Sequence, residues 1–120
     1  MTTKYVQRGD VVNFTTAGAV ASGAVVKMLH TIGVALSAAT GSGQVIPVAI
    51  EGVFTVPKAS AAVFVVGEKL IWDVSATEFD DSAATPATGD VTGAAIAMVA
   101  GSASETTCVV KLTPGNSAVA

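Results

Sequence analysis

A chain of 120 residues that is 51% apolar and only 12% charged has the size of one domain but about half the charge usual for a soluble globular protein. Six basic and nine acidic residues give a net charge of −3 with no basic cluster, which excludes a nucleic-acid backbone as partner, because phosphate binding needs a positive stripe. Cys108 is the one cysteine, so no internal disulfide is available, and 20 Val, 22 Ala and 14 Thr against 4 Leu and 5 Ile exclude a Leu-packed helical bundle in favour of pleated strands around a thin core.

In chain order, Met1 to Asp10 has no apolar leader segment, so an intracellular chain is expected. Gly9-Asp10 reads as a turn, and Val11-Val12-Asn13-Phe14-Thr15 as a first strand. Small residues from Ala17 to Gly23 lead into Ala24–Leu29 as a second strand, with Ile32–Leu36 as a third. The run Ala38–Gly43 is a loop by composition. Gln44–Ile50 and Gly52–Val56 read as strands divided at Glu51-Gly52 by a bulge or corner. The uncharged stretches Val11–Val26 and Met28–Ile50 are interrupted by Asn13, His30, Gln44, Pro47 and several glycines, so neither is expected to span a membrane.

After Pro57–Ser60, the segment Ala61–Val66 fits a strand or one helical turn. Gly67-Glu68-Lys69 is a turn and Leu70-Ile71-Trp72-Asp73 a strand. Residues 75–92 change character: they contain Pro86 and four of the nine acids (Glu78, Asp80, Asp81, Asp90), and read as a solvated acidic loop that includes a small hairpin. Ala94–Val99 and Thr106–Leu112 form a closing strand pair, and 114–120 a loose tail. The domain organisation is thus an arm (1–9), a single β domain (10–113) and a tail. A faint internal echo accompanies it: at a constant spacing of 62 residues, Ala35, Ala38, Ser42 and Val48 match Ala97, Ala100, Ser104 and Val110. Two copies of a strand–loop–strand unit suit an all-β fold, a small β-barrel or a two-sheet β-sandwich of short strands.

Candidate chemistry is sparse. His30 has its nearest carboxylates in sequence at Asp10 and Glu51, which fits a strand-end or interface histidine. Cys108 lies in an apolar strand without a local basic group, so it reads as a buried thiol and not a nucleophile. Gly18–Gly23 has the outer glycines of a phosphate loop, but Ala24 and Val25 stand where Lys and Ser/Thr are needed. Gly41-Ser42-Gly43 lacks the third glycine of a dinucleotide fingerprint, and Glu78, Asp80 and Asp81 lack the spacing of a calcium loop. Asn13-Phe14-Thr15 fits a glycosylation acceptor only formally, inside a strand. No catalytic, cofactor-binding or metal site is expected, so no enzyme and no small-molecule substrate. A surface this poor in charge instead suggests association.

Several segments together resemble a known family. They are Tyr5-Val6-Gln7-Arg8-Gly9-Asp10-Val11-Val12, Ser22–Val26, Ile32–Leu36, Glu51-Gly52-Val53-Phe54-Thr55-Val56-Pro57-Lys58-Ala59 and Gly67-Glu68-Lys69-Leu70-Ile71-Trp72-Asp73. Their order and spacing, from Tyr5 to about Leu112, resemble the capsid cement or head decoration proteins of tailed bacteriophages and prophages. Ile71 departs from that pattern, standing where an aromatic is frequent, and the acidic loop is long. Members sometimes carry the label of predicted recombinase, for which this sequence offers neither a nucleotide loop nor a basic patch.

The resemblance implies a β-rich homotrimer on the outer surface of an expanded capsid, made in the bacterial host cytoplasm. Its partners would be itself and the major capsid protein, with no nucleic acid, membrane or small molecule. On that basis Lys4, Tyr5, Val6, Gln7 and Arg8 are expected to contact the capsid, and Phe14, Phe54 and Trp72 to pack in the core or at the trimer interface. The alternative is a small β-barrel assembly module of a phage tail or baseplate, also without catalysis.

Overall fold

The computed structural model describes residues 9–120. These residues contain no helix and are 47% strand. The strands are β1 (Val11–Thr15), β2 (Val25–Met28), β3 (Thr31–Ala35), β4 (Val45–Ala49), β5 (Gly52–Pro57), β6 (Lys69–Asp73), β7 (Glu78–Asp80), β8 (Val91–Ala97), β9 (Thr107–Leu112) and β10 (Ala118–Val119). They make two curled antiparallel sheets: one in the order β1-β4-β3-β2, the other along β5-β9-β8-β6-β7 with β10 paired to β8. The all-β class read from Val and Thr content is the class observed. The corner read at Glu51-Gly52 is where the chain leaves the first sheet and enters the second.

The second sheet curls until its ends meet. Ala59 N–H donates to the Phe79 carbonyl at 2.8 Å, and Lys58 bridges Phe79, so the end of β5 touches β7. Its interior holds Val56, Phe64, Leu70, Trp72, Phe79, Val110 and Leu112, all buried. Trp72 and Phe79 meet edge to face at 4.9 Å, a contact worth about 0.5–1.5 kcal/mol beyond its burial. Ile32 and Val34 of β3 join this cluster and fasten the first sheet to the second. Val26, Ala35, Ala39, Ile46 and Val48 form a smaller core on the other face of the first sheet, flanked by half-buried Phe14, Val20, Met28 and Ile50.

The two sheets are copies of one four-stranded unit. β1-β4-β3-β2 and β5-β9-β8-β6 share one chain order and one spatial order. The 62-residue echo maps onto identical pairing: Val34↔Ala49 and Ala35↔Val48 become Ile96↔Lys111 and Ala97↔Val110. Outside the strands the agreement continues. The lone bridge Val20↔Ala39 has its counterpart in Phe64↔Gly101. Gly23 N–H donates to Ala35 O at 2.7 Å, and Gly67 N–H to Ala97 O at 2.7 Å, with φ of 85° and 90° at the two glycines. Leu36 N–H reaches Pro47 O as Met98 N–H reaches Val109 O.

Three segments differ from their sequence reading. Ala61–Val66 is neither strand nor helical turn; it is a pair of turns joined to Gly101 through Phe64 alone. The acidic loop has the small hairpin read there, β7 pairing with β6 through Trp72↔Phe79, but it is not solvated throughout, because Phe79 and Asp90 are buried. Pro114–Ala120, read as a loose tail, carries β10, and the Gly89 N–H to Ala120 O and Ala120 N–H to Asp90 O bonds, both 2.9 Å, tie it down.

Candidate interaction surfaces

The residues that composition and resemblance single out lie in very different places. Lys4, Tyr5, Val6, Gln7 and Arg8 fall outside the described residues. Trp72 is buried in the second unit, while Phe14 and Phe54 are half-buried, Phe14 against the smaller core and Phe54 against the larger one. His30 sits in the exposed two-residue turn between β2 and β3, where its carbonyl accepts from the Ser117 hydroxyl. Leu29, beside it, is 72% exposed at φ 58°.

Polar groups inside the molecule hold loops to sheets. Thr16 and Lys58 occupy equivalent positions, just after β1 and just after β5, and both are buried. The Thr16 hydroxyl donates to Gly41 O at 2.7 Å. The Lys58 ammonium donates to Ala59 O at 2.8 Å and Glu105 O at 3.3 Å, and lies 5.9 Å from the centre of the Phe64 ring. Two carbonyls and a ring face compensate a charge that would otherwise be costly to bury. Cys108 is buried beside it. Burial pushes its thiol up to about 11, the Lys58 charge pulls it down and Glu105 raises it, so almost no thiolate exists at neutral pH.

The acidic loop is less solvated than its composition implies. Asp90 is buried, and its two carboxylate oxygens accept from Val74 N–H at 3.2 Å and Ala87 N–H at 2.9 Å, closing the loop on itself. Lys27 reaches across from β2 and donates to Gly89 O at 2.8 Å. Glu68 accepts from Ser82 N–H at 3.0 Å and Ser82 Oγ at 2.8 Å, and Asp73 from the Ser75 hydroxyl at 2.8 Å and the Ala76 N–H at 3.1 Å. These hydrogen bonds hold both carboxyls below their ordinary values, the Ser82 backbone bond leading at Glu68 and the Ser75 hydroxyl at Asp73. Among the described residues no three His, Cys, Asp or Glu side chains converge in a way that would hold a metal. One groove, of about 270 Å³, is lined by Lys69, Ile71, Ser82, Pro86, Thr92 and Asn116 and gathers no catalytic set.

What remains on the outside is apolar and unevenly charged. Val63, Val65, Val66 and Val99 flank the Phe64–Gly101 bridge and are each more than half exposed, so the bridge gathers them into one patch. Residues 1–50 hold three cations and one anion, a net +2, and residues 51–120 hold three cations and eight anions, a net −5. The patch was not legible in the sequence because Ala61–Val66 fits a strand or one helical turn, and either would bury part of its valines.

A family model described as phage cement protein matches residues 6–112. No curated protein and no solved structure matches the chain significantly.

Proposed function

We propose that this chain, which belongs to the phage cement protein family, is a homotrimeric cement that binds the outer surface of an expanded phage head and holds neighbouring capsid subunits against the pressure of packaged DNA. The family fixes the coarse role: a structural protein located on the phage capsid. The observation that carries the finer reading is the division of charge, with a nearly neutral first unit and an acidic second one.

A footprint on another protein favours few charges at its centre, so the first unit and the arm before it face the capsid. The acidic second unit faces solvent, where net charge keeps decorated heads apart. The Val63, Val65, Val66 and Val99 patch is the subunit contact.

The mechanism is multivalent. Three equivalent feet on one trimer convert weak contacts into avidity that exceeds any single one by about 10²–10⁴-fold. Because only the assembled, expanded lattice offers three sites at the right spacing, binding stabilises that state by mass action. Thr2 to Arg8 supply part of each foot, with Tyr5 as anchor and Lys4 and Arg8 as two of the chain's six cations.

Deleting residues 2–8 is expected to abolish capsid binding in a co-sedimentation assay while the protein still elutes as a trimer. Full binding by the truncated protein refutes the role of the arm. Size-exclusion chromatography with light scattering is expected to give three times the 11.8 kDa chain mass. A strict monomer contradicts the trimer and the avidity built on it.

A further inference from the structure

The internal repeat shows what each unit needs for closure, and only the second has it. There β7 lies along the free edge of β6, pairing Ile71↔Asp80 and Trp72↔Phe79, and Phe79 drops into the core. On its far side, Phe79 O accepts from Ala59 N–H and closes the gap to the end of β5. In the first unit β2 takes the place of β6, but a two-residue turn, Leu29-His30, leads directly into β3. Nothing equivalent to β7 exists among the described residues, and β2 is an edge strand.

The consequence appears in burial. Val56, Phe64, Trp72 and Leu112 of the second unit are 2–4% exposed, whereas their counterparts Phe14, Val20, Met28 and Ile50 are only half-buried. The backbone tells the same story. Ala35 N–H donates to Ala24 O, and antiparallel pairing alternates from there, so Val26 and Met28 bond β3 while Val25 and Lys27 turn their N–H and C=O outward. Across the slot Ala17 stands where Ala59 stands in the second unit, and its N–H makes no backbone hydrogen bond among the described residues. No strand of the described residues pairs with β2 on this side, so the place that β7 takes in the second unit is open here, a vacancy between the outward groups of Val25 and Lys27 and the Ala17 N–H.

We propose that an extended segment of the capsid subunit fills this vacancy as an added strand, completing the first unit as β7 completes the second. This deepens the cement reading and rests on it. β7 is the template for the occupant: Glu78-Phe79-Asp80 has one large apolar side chain pointing inward between two polar, anionic neighbours. Charge permits that choice: residues 9–50, which hold the vacancy, carry one cation (Lys27) and one anion (Asp10) and do not repel an anionic strand, while residues 51–120, at net −5, make the unit that is already closed. Main-chain bonds supply affinity in such strand addition, and the pocket supplies specificity.

Hydrogen–deuterium exchange of the full chain, free and bound to undecorated expanded capsids of the cognate major capsid protein, tests it. Within residues 16–28 the amides of Ala17, Val25 and Lys27, which the fold leaves unbonded, are expected to exchange quickly in free protein and to slow by about tenfold or more on the capsid. Two variants check the same surface. Val25→Pro and Ala17→Pro each remove an N–H that the fold itself does not use, and are expected to weaken capsid binding by about tenfold or more. Circular dichroism spectra like that of the wild type would show them still folded.

Capsid-bound protein with unchanged exchange over 16–28 overturns the inference and leaves the cement reading standing. Protection already present without capsid, and lost on dilution, assigns the edge to a second copy of this chain and also overturns it. Failure of the wild-type protein to bind capsids refutes the cement reading, and the inference falls with it.

Discussion

Gly101 and Phe64 show at the scale of single residues how two copies of one unit diverge without losing their geometry. A methyl group built on Gly101 would lie 2.4–2.8 Å from three atoms of the Phe64 ring, which is buried and has no room to withdraw. At the equivalent bridge of the first unit the pair is Ala39 and Val20, a larger residue facing a smaller one. Gly101→Ala is therefore expected to cost about 1–3 kcal/mol through overpacking. Adding Phe64→Val, which transplants the pairing of the first unit, is expected to recover part of that loss. Urea denaturation of the single and double variants measures the coupling, and strictly additive effects would show that the ring does not set the demand for glycine.

At the scale of elements, β7 separates the two units, and its loop is held by carboxylates. Glu68 stands where Ala24 stands in the first unit, which has no such loop to hold. Hydrogen bonds from Ser82 keep the folded pKa of Glu68 below its unfolded value, and bonds from Ser75 and Ala76 do the same at Asp73. The stabilisation is thus fully present above the ordinary carboxylate range, about 4, and is lost as pH falls through the depressed values. Thermal unfolding is expected to be nearly flat from neutral pH down to about 5, with Tm falling below about 4. Glu68→Gln is expected to lower Tm at pH 7 and to shallow the acid limb. An acid limb unchanged by that substitution would show that the Ser82 tie does not hold the loop.

These elements also show how much the residues revealed. Runs such as Val11–Thr15 and Thr107–Leu112 are legible because Val, Ile and Thr lie between glycine-marked turns. β7 is three residues long with a single apolar side chain, so no alternation marks it, and β10 has only two residues. The burial of Asp90 has no local signal, because its partners, Val74 and Ala87, meet it only through the path of the loop. The 62-residue echo was visible where small residues recur in the inner strands. It faded beyond the strand ends, where Thr16 answers to Lys58 and Val20 to Phe64, because identity is lost at both pairs and full burial is kept only at the first. The contact role of Lys4–Arg8 stays a matter of the cement reading, since those residues lie outside the described structure.

At the scale of the whole molecule, a composition half apolar and thinly charged has a physical account. Apolar surface is divided between two small cores, an exposed valine patch and an unfinished sheet edge, while most acids are spent pinning turns in the second unit. A protein with this distribution is completed by what it binds. Electron microscopy of expanded capsids saturated with the purified protein tests that directly. Three-lobed density at local three-fold positions, with the first unit against the lattice, is the result expected, and capsids that stay bare at saturating protein would contradict it.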